Sequence, residues 1–380
     1  MGGFFAAMAA RLIVSPIVPY AVSTFNTTPG VLGLSLSGMW LAYALAQLPA
    51  GVLAAQYGTR PLIVAGLLLT AAASGLLAIA PSVLVFAIAV VSLGIGPGLY
   101  FPAAAVLLTE TSENVGEALG LHLAGGDSAG IVIPLVVTVI AGFQGWQAAP
   151  LVGLFVAGSM AVIAVFALPQ IDGPAPKIDS SKKELTTALN RVIHDPAVRR
   201  IVLLAGCLTF CFQSVTSFLP AYLHAAHNLS IPAANTRFSL AFAIWIIGMP
   251  LAGRLADRLG ANAVLIATAL ILATGVAILI LATSSLIVLI GVALLGLGMS
   301  WGGVLGAKTM TALGRKGRTS GYRAVRAMYG IIGATGSVAV GTFATWANWQ
   351  IGWSLLFIVA TLALLILGWD IRKEASVNIG

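Results

Sequence analysis

Twelve apolar stretches follow one another along the chain, broken by short polar segments. The first six run at about 4–25, 32–55, 61–80, 82–108, 115–143 and 148–168. The second six run at about 200–223, 236–253, 262–282, 285–307, 322–345 and 350–369. A hydrocarbon core about 30 Å thick is crossed by about 20 helical residues, so each stretch predicts one transmembrane helix. Between the two sets lies "PQIDGPAPKIDSSKKELTTALNRVIHDPAVRR", polar and proline-bearing, the longest hydrophilic run in the chain. Within it Ser181 and Glu184 have capping-box spacing, and Leu185, Leu189, Val192 and Ile193 share a face, which predicts a short surface helix. The pattern therefore predicts an all-α membrane protein of about twelve transmembrane helices in two pseudo-symmetric six-helix bundles, 1–170 and 199–380, joined by a linker at 171–198.

Composition narrows this further. Of 380 residues, 59% are hydrophobic and 8% charged, against roughly 45–50% apolar in a soluble domain. The mean hydropathy of +1.03 leaves no stretch for a soluble domain beside the spans. The opening "MGGFFAAMAARLIVSPIVPY" lacks a basic leader and a small-residue cleavage site, and its apolar run outlasts a signal-peptide core. It is expected to be a retained first span.

Charge placement supplies orientation, because short cytoplasmic loops keep Lys and Arg. Arg11 and Arg326 lie within spans, Lys308 and Arg323 at span edges, and Arg237 on the opposite side; every other Lys and Arg falls in alternate loops or the C-terminal tail. Both termini are thus expected in the cytoplasm, with the chain in the cell (inner) membrane. The net charge of +8 is then mostly a topology signal with a weak pull toward anionic headgroups, and no domain remains to carry a nucleic-acid role. Cys207 and Cys211, four apart on one helix, suit packing better than a disulfide or metal, and no cofactor is expected. Asn26 and Asn228 open glycosylation sequons on the outer side, a pattern that chance often produces.

An internal echo points to function. "AGVLAAQYGTR" at 50–60 is repeated as "AGRLADRLGAN" at 252–262, with Gly51, Leu53, Ala54 and Gly58 matching Gly253, Leu255, Ala256 and Gly260. Both copies are expected in the loop after the second helix of their half, a parallel repeat of the kind transporters are built from. Gly253 and Gly260 permit a tight turn, and Asp257 can accept hydrogen bonds from a helix N-terminus. Here the sequence resembles the major facilitator superfamily, whose loop signature is met by Gly253, Asp257, Arg258 and Gly260. The resemblance implies a latch at these residues that stabilises one state of an alternating-access cycle. The first copy has Ala55 and Gln56 where Asp and Arg are expected, which implies a weaker latch in the N-terminal half. The fourth span also lacks the arginine that many proton-coupled members carry, which weakens a drug:proton antiporter reading.

Charge inside spans is the sharpest functional signal, since it costs about 2.5–3.5 kcal/mol per residue at mid-helix. Arg11 lies in the first span beside Pro16 and Pro19, and Arg326 in the eleventh. The resemblance implies that both project toward one central cavity. Two cations with little opposing charge make an electropositive pocket, and guanidinium binds carboxylate in a fork; the alternative is that both snorkel to the cytoplasmic interface. Asp127 is the one acid in mid-membrane, either an arginine's partner, a proton carrier or both, and His122 on the same helix is either a coupling residue or a packing residue. Tyr43, Gln47, Gln213, Trp245 and Tyr329 are candidate pocket residues, with Trp40, Tyr100 and Trp301 as further aromatics that either line a pocket or face lipid.

Two motifs mislead. "GDSAG" at 126–130 matches a hydrolase nucleophile elbow and "GIGPG" at 94–98 a nucleotide loop, but both lie in apolar helix with no strand, so close helix packing is expected. No enzyme is expected. "GGDSAGIVIPLV" followed by "GWQAAP" also resembles the fifth-helix region of the superfamily's anion:cation symporters. The expectation is a secondary transporter, a monomer, moving a small carboxylate-type organic anion with a proton, sodium or counter-anion. The alternatives are a proton-coupled exporter of hydrophobic or cationic compounds and a non-transporting membrane receptor.

Overall fold

The computed structural model describes residues 1–169, 186, 190, 194–313 and 318–377. The first half comprises α1 (Gly2–Leu12), α2 (Val14–Thr24), α3 (Pro29–Tyr57), α4 (Thr59–Ala78), α5 (Val83–Thr111), α6 (Val115–Gln144) and, after a single 3-10 turn at Trp146–Ala148, α7 (Pro150–Ala167). The second comprises α8 (Pro196–His227), α9 (Ile231–Leu259), α10 (Ala261–Leu281), α11 (Ser285–Gly298), α12 (Gly302–Leu313), α13 (Arg318–Trp346) and α14 (Trp349–Val377). Among the described residues, twelve spans are long and apolar enough to cross a bilayer, and the chain is a multi-pass membrane protein. The surface helix expected around Ser181 and Glu184 lies outside the described residues.

Two spans are not the single helices expected. The first breaks between α1 and α2, although Ile13 stays right-handed at φ −60° and ψ −33°. Pro16 has no N–H to give the Leu12 carbonyl, so the ladder loses a rung there. The tenth breaks at 299–301, where Met299 and Ser300 donate to Gly296 and Leu297 three residues back, a 3-10 tightening.

The repeated motif also sits differently from the loop expected. Gly253, Asp257 and Arg258 are helical, within α9, and the turn is the single residue Gly260 at φ 87°. Its counterpart Gly58 turns at φ 90°. Each helix runs on past the apolar stretch, and a glycine in the left-handed region reverses the chain in one step. The sequon residues Asn26 (φ 46°) and Asn228 (φ 53°) are the non-glycine residues with positive φ among those described. Asparagine tolerates that region, so a turn role accounts for both.

The halves touch along two seams, α3 against α13 and α6 against α9, with α2 packed on α8. We call the end bearing Gly58 and Gly260, where α7 ends and α8 begins, the linker end, and the opposite one the far end. Hydrogen bonds cross the seams toward the far end. Gly30 N–H donates to Thr345 Oγ1 at 2.8 Å and Val338 N–H to Ser37 Oγ at 2.7 Å. Ser15 donates to the Ser217 carbonyl at 3.1 Å, Trp40 Nε1 to Ser217 Oγ at 3.1 Å, and Asn235 to Thr138 Oγ1 at 3.0 Å. At Gly33 the approach is tight: a Cβ there would stand 2.6 Å from the Ser337 carbonyl oxygen. The "GDSAG" glycines also pack, Gly126 against Phe4 and Gly130 against Phe242 across the seam. In "GIGPG", Gly94 meets the α3 backbone at Met39 and Gly96 the α4 backbone at Gly66. Both cysteines are buried and unbonded to each other.

At the linker end the second half is bound internally. Asp370 accepts from Arg200 of α8 at 2.7 Å and from Lys308 of α12 at 3.1 Å, and Lys308 also reaches Asn262 of α10 at 2.5 Å. One carboxylate therefore balances two cations between three helices. Asp370→Ala is expected to cost about 1–3 kcal/mol, because two partly buried cations lose their counter-ion. A thermal midpoint in detergent that falls by less than about one degree would contradict this.

Candidate functional site

The first span carries Arg11 into the core just before its break. Its side chain is 5% exposed, yet no carboxylate among the described residues pairs with it. Instead its guanidinium carbon stands 4.4 Å from the Trp40 ring centroid and 4.3 Å from that of Tyr43, both on α3. One nitrogen, Nη2, donates to Met8 Sδ at 3.0 Å, while Nε and Nη1 are buried without a partner among the described residues. A thioether is a weak acceptor, so the group keeps hydrogen-bonding capacity for something else.

Arg326 approaches from the other half on α13. Its guanidinium carbon lies over the ring of Phe101 on α5, 4.7 Å from the centroid, so this contact joins the two halves. Arg326 feels the charge of Arg11 and lies within electrostatic reach of Tyr43, Tyr329 and Tyr322. Tyr43 is close to both arginines. Asp127 on α6 is half-buried and interacts with Arg11 through its charge, but no ion pair forms between them. Arg11, Arg326, Tyr43, Tyr329 and Asp127 are thus brought together.

The remaining candidates are distributed around this centre. Gln47 turns its amide back on its own helix, donating to the Tyr43 carbonyl at 3.0 Å. Gln213 is 4% exposed on α8 beside Gly333, with Oε1 unpartnered among the described residues. Trp245 packs against Phe212 and Phe242 with centroids 5.3 and 5.2 Å away, and its indole N–H likewise has no partner there. Phe212 also meets Trp40 at 6.2 Å, so the aromatic chain Tyr43, Trp40, Phe212, Trp245 and Phe242 runs from one half to the other. Trp40 in this chain also donates to Ser217 Oγ of the other half.

His122 has neither arginine nor Asp127 among its electrostatic partners, although it feels the charge of the N-terminus. It is buried and stacked 4.8 Å from Phe4, with Tyr100 at 5.8 Å and Phe101 at 6.2 Å. Its surroundings are those of a packing residue, although it touches the ring that holds Arg326. Gly253, Asp257, Arg258 and Gly260 are far from the site at the linker end. Asp257 and Arg258 are exposed, and a Cβ on either glycine would meet nothing within 4 Å. In the first copy, Arg60 donates to the Val165 carbonyl within its own half. Among the described residues the motif makes no latch contact in this state.

Comparison with known proteins adds a family and a fold. The model of the Major Facilitator Superfamily matches residues 1–323. The chain is 26% identical over 356 residues to the multidrug resistance protein MdtH of Aeromonas salmonicida, covering 91% of this chain and 88% of that one. It is also 26% identical over 273 residues to a probable sulfoacetate transporter, SauU, of Cupriavidus necator, covering 67% and 63%. Among solved structures, a point mutant of the nucleoside transporter NupG superposes with a TM-score of 0.84 at 11% identity, over 96% of this chain and 97% of that one. A bacterial homologue of the lysosomal transporter Spinster, inward-facing and unoccupied, gives 0.80 at 15% identity over 97% and 95%.

Proposed function

Because the chain belongs to the major facilitator superfamily, whose members move small molecules across membranes, we propose that it is a secondary active transporter of a small carboxylate-type organic anion. The observation that carries this is the meeting of two guanidinium groups, one from each half, with no carboxylate among the described residues paired to either. An anion entering between them neutralises charge that the protein leaves uncompensated, and guanidinium N–H groups match a carboxylate or sulfonate. A relative described as a probable transporter of sulfoacetate, an anion with two acidic groups, supports the same class.

In this proposal the linker end faces the cytoplasm, the two bundles are 1–170 and 199–380, and both termini are cytoplasmic. The described state is then open inward, with the far-end seams closed and the motif at Asp257 and Arg258 released until the linker end closes. Gln213 and Trp245 offer an unpartnered carbonyl and N–H to uncharged parts of the substrate. Tyr43 and Tyr329 flank the charges. The protein works as a monomer in the cell membrane.

Asp127 sets the coupling. An ionised Asp127 shares Arg11 with the anion, and a protonated one yields it, so loading with a proton favours loading with substrate. Asp127→Asn is expected to abolish flux driven by a pH gradient while anion exchange across the membrane survives within about threefold. Loss of both modes would assign Asp127 to folding or binding instead of coupling.

The substrate test is flux into proteoliposomes of purified protein, with sulfoacetate, mono- and dicarboxylates, neutral sugars and lipophilic cations as probes. Saturable flux of one or more anions supports the proposal. Flux of lipophilic cations alone would replace it with an exporter resembling the multidrug relative.

A further inference from the structure

In this site the arginines are held by rings where carboxylates would be the usual counter-ions. Arg11 lies over Trp40 and Tyr43, and Arg326 over Phe101. The one acid in reach among the described residues, Asp127, forms no ion pair with either. A carboxylate neutralises an arginine and occupies its N–H donors; a ring does neither. The ring face attracts the cation through its quadrupole and shields one side from water without taking up the N–H groups in the guanidinium plane, of which Nε and Nη1 of Arg11 have no partner among the described residues.

We propose that Phe101 and Trp40 are positioning residues that fix Arg326 and Arg11 for an incoming anion without discharging them. This rests on the anion reading above and names what makes the site selective. An anion has no internal counter-ion to displace, and it meets cations already aimed and partly dehydrated. Phe101 carries the larger role. It stands on α5 in the first half while Arg326 belongs to α13 in the second, so the ring holds a charge across the gap between the moving halves. It also leans on His122, whose ring lies 6.2 Å away against Phe4, and this stack backs the phenylalanine from behind. That gives His122 a place in the site as support for Phe101.

Two measurements separate this from a packing role. The first needs no substrate: thermal unfolding in detergent of the wild type, Phe101→Leu, Arg326→Gln and the double variant. The expected result is non-additivity, with Phe101→Leu lowering the midpoint more in the wild-type background than beside Arg326→Gln, where only the packing against Phe4 and His122 is lost. The second is concentration-dependent flux of sulfoacetate and of succinate. Phe101→Leu is expected to raise KM about fivefold with kcat unchanged, the weight of one partly desolvated cation–ring contact. Phe101→Tyr, which keeps the face, should restore KM. Additive unfolding shifts, or a fall in kcat at constant KM that tyrosine does not rescue, would overturn the proposal. If the wild type moves neither anion, the substrate reading falls and the unfolding cycle alone decides whether the ring holds the arginine.

Discussion

Arg326→Gln is expected to lower anion flux at least about a hundredfold, and Arg11→Gln to do the same. Each guanidinium supplies charge-assisted hydrogen bonds, which are about twice as strong as neutral ones, and losing such a partner in a desolvated site costs about 2–5 kcal/mol. Glutamine keeps length and some donors but no charge. Arg326→Lys is expected to recover only part of the loss, since an ammonium keeps the charge and loses the planar fork and the fit to the Phe101 face. Arg237→Gln is the control. That residue sits near the far end, bonded to Ser285 of α11 at 2.6 Å, and its loss should leave flux unchanged. Unchanged anion flux in Arg326→Gln would remove the electropositive site and leave both arginines as structural.

The second large effect concerns the far-end seam. Gly33→Val is expected to reduce transport of any substrate about tenfold or more. A Cβ at this position stands 2.6 Å from a backbone oxygen of α13, and backbone cannot swing aside as a side-chain tip can. The two helices must separate, at an overpacking cost of about 1–3 kcal/mol, comparable to the preference between states that a transporter must keep small. The seam then fails to close. A cysteine placed at Ser37, whose hydroxyl accepts from Val338 across the seam, reports this directly. It should react with a membrane-impermeant maleimide in the Gly33→Val background and not in the wild type. Gly116→Ala, where an added Cβ meets nothing within 4 Å, should be silent. Normal transport with a protected cysteine in Gly33→Val would mean the seam tolerates the methyls and is looser than its geometry implies.

Much of the architecture was legible because hydropathy reports contact with lipid, and lipid contact is what defines a span. The same signal is blind to what the backbone does beyond the bilayer. Asp257 and Arg258 looked like loop residues because they are polar, yet α9 carries them as helix to the turn at Gly260. The break at Ile13 was foreshadowed by Pro16, whereas no proline marks the one at 299–301. Within the site, Arg11, Arg326 and Asp127 stood out because charge in a membrane is costly. Phe101 did not: one phenylalanine among fifteen, in an apolar span, has the same signature as any lipid-facing ring. Met8 and Phe212 were hidden for the same reason. Trp40 appeared only as one of several aromatics, because its direction depends on which face of α3 meets the first span. His122 drew attention as a titratable group, and the structure places it among the rings of Phe4, Tyr100 and Phe101.

The seam has one more consequence, for speed. Its cross-half bonds are made by hydroxyls, an amide, an indole and backbone N–H groups, with no ion pair among those described above. Each such bond contributes only about 0.5–1.5 kcal/mol net, because water offers a nearly equal partner when the bond opens. A seam of this kind hydrates without a steep barrier and reseals without a search for matching charges. Its opening should also be insensitive to ionic strength, so that salt reaches the cycle through substrate binding and the charged motif at the linker end and not through this seam.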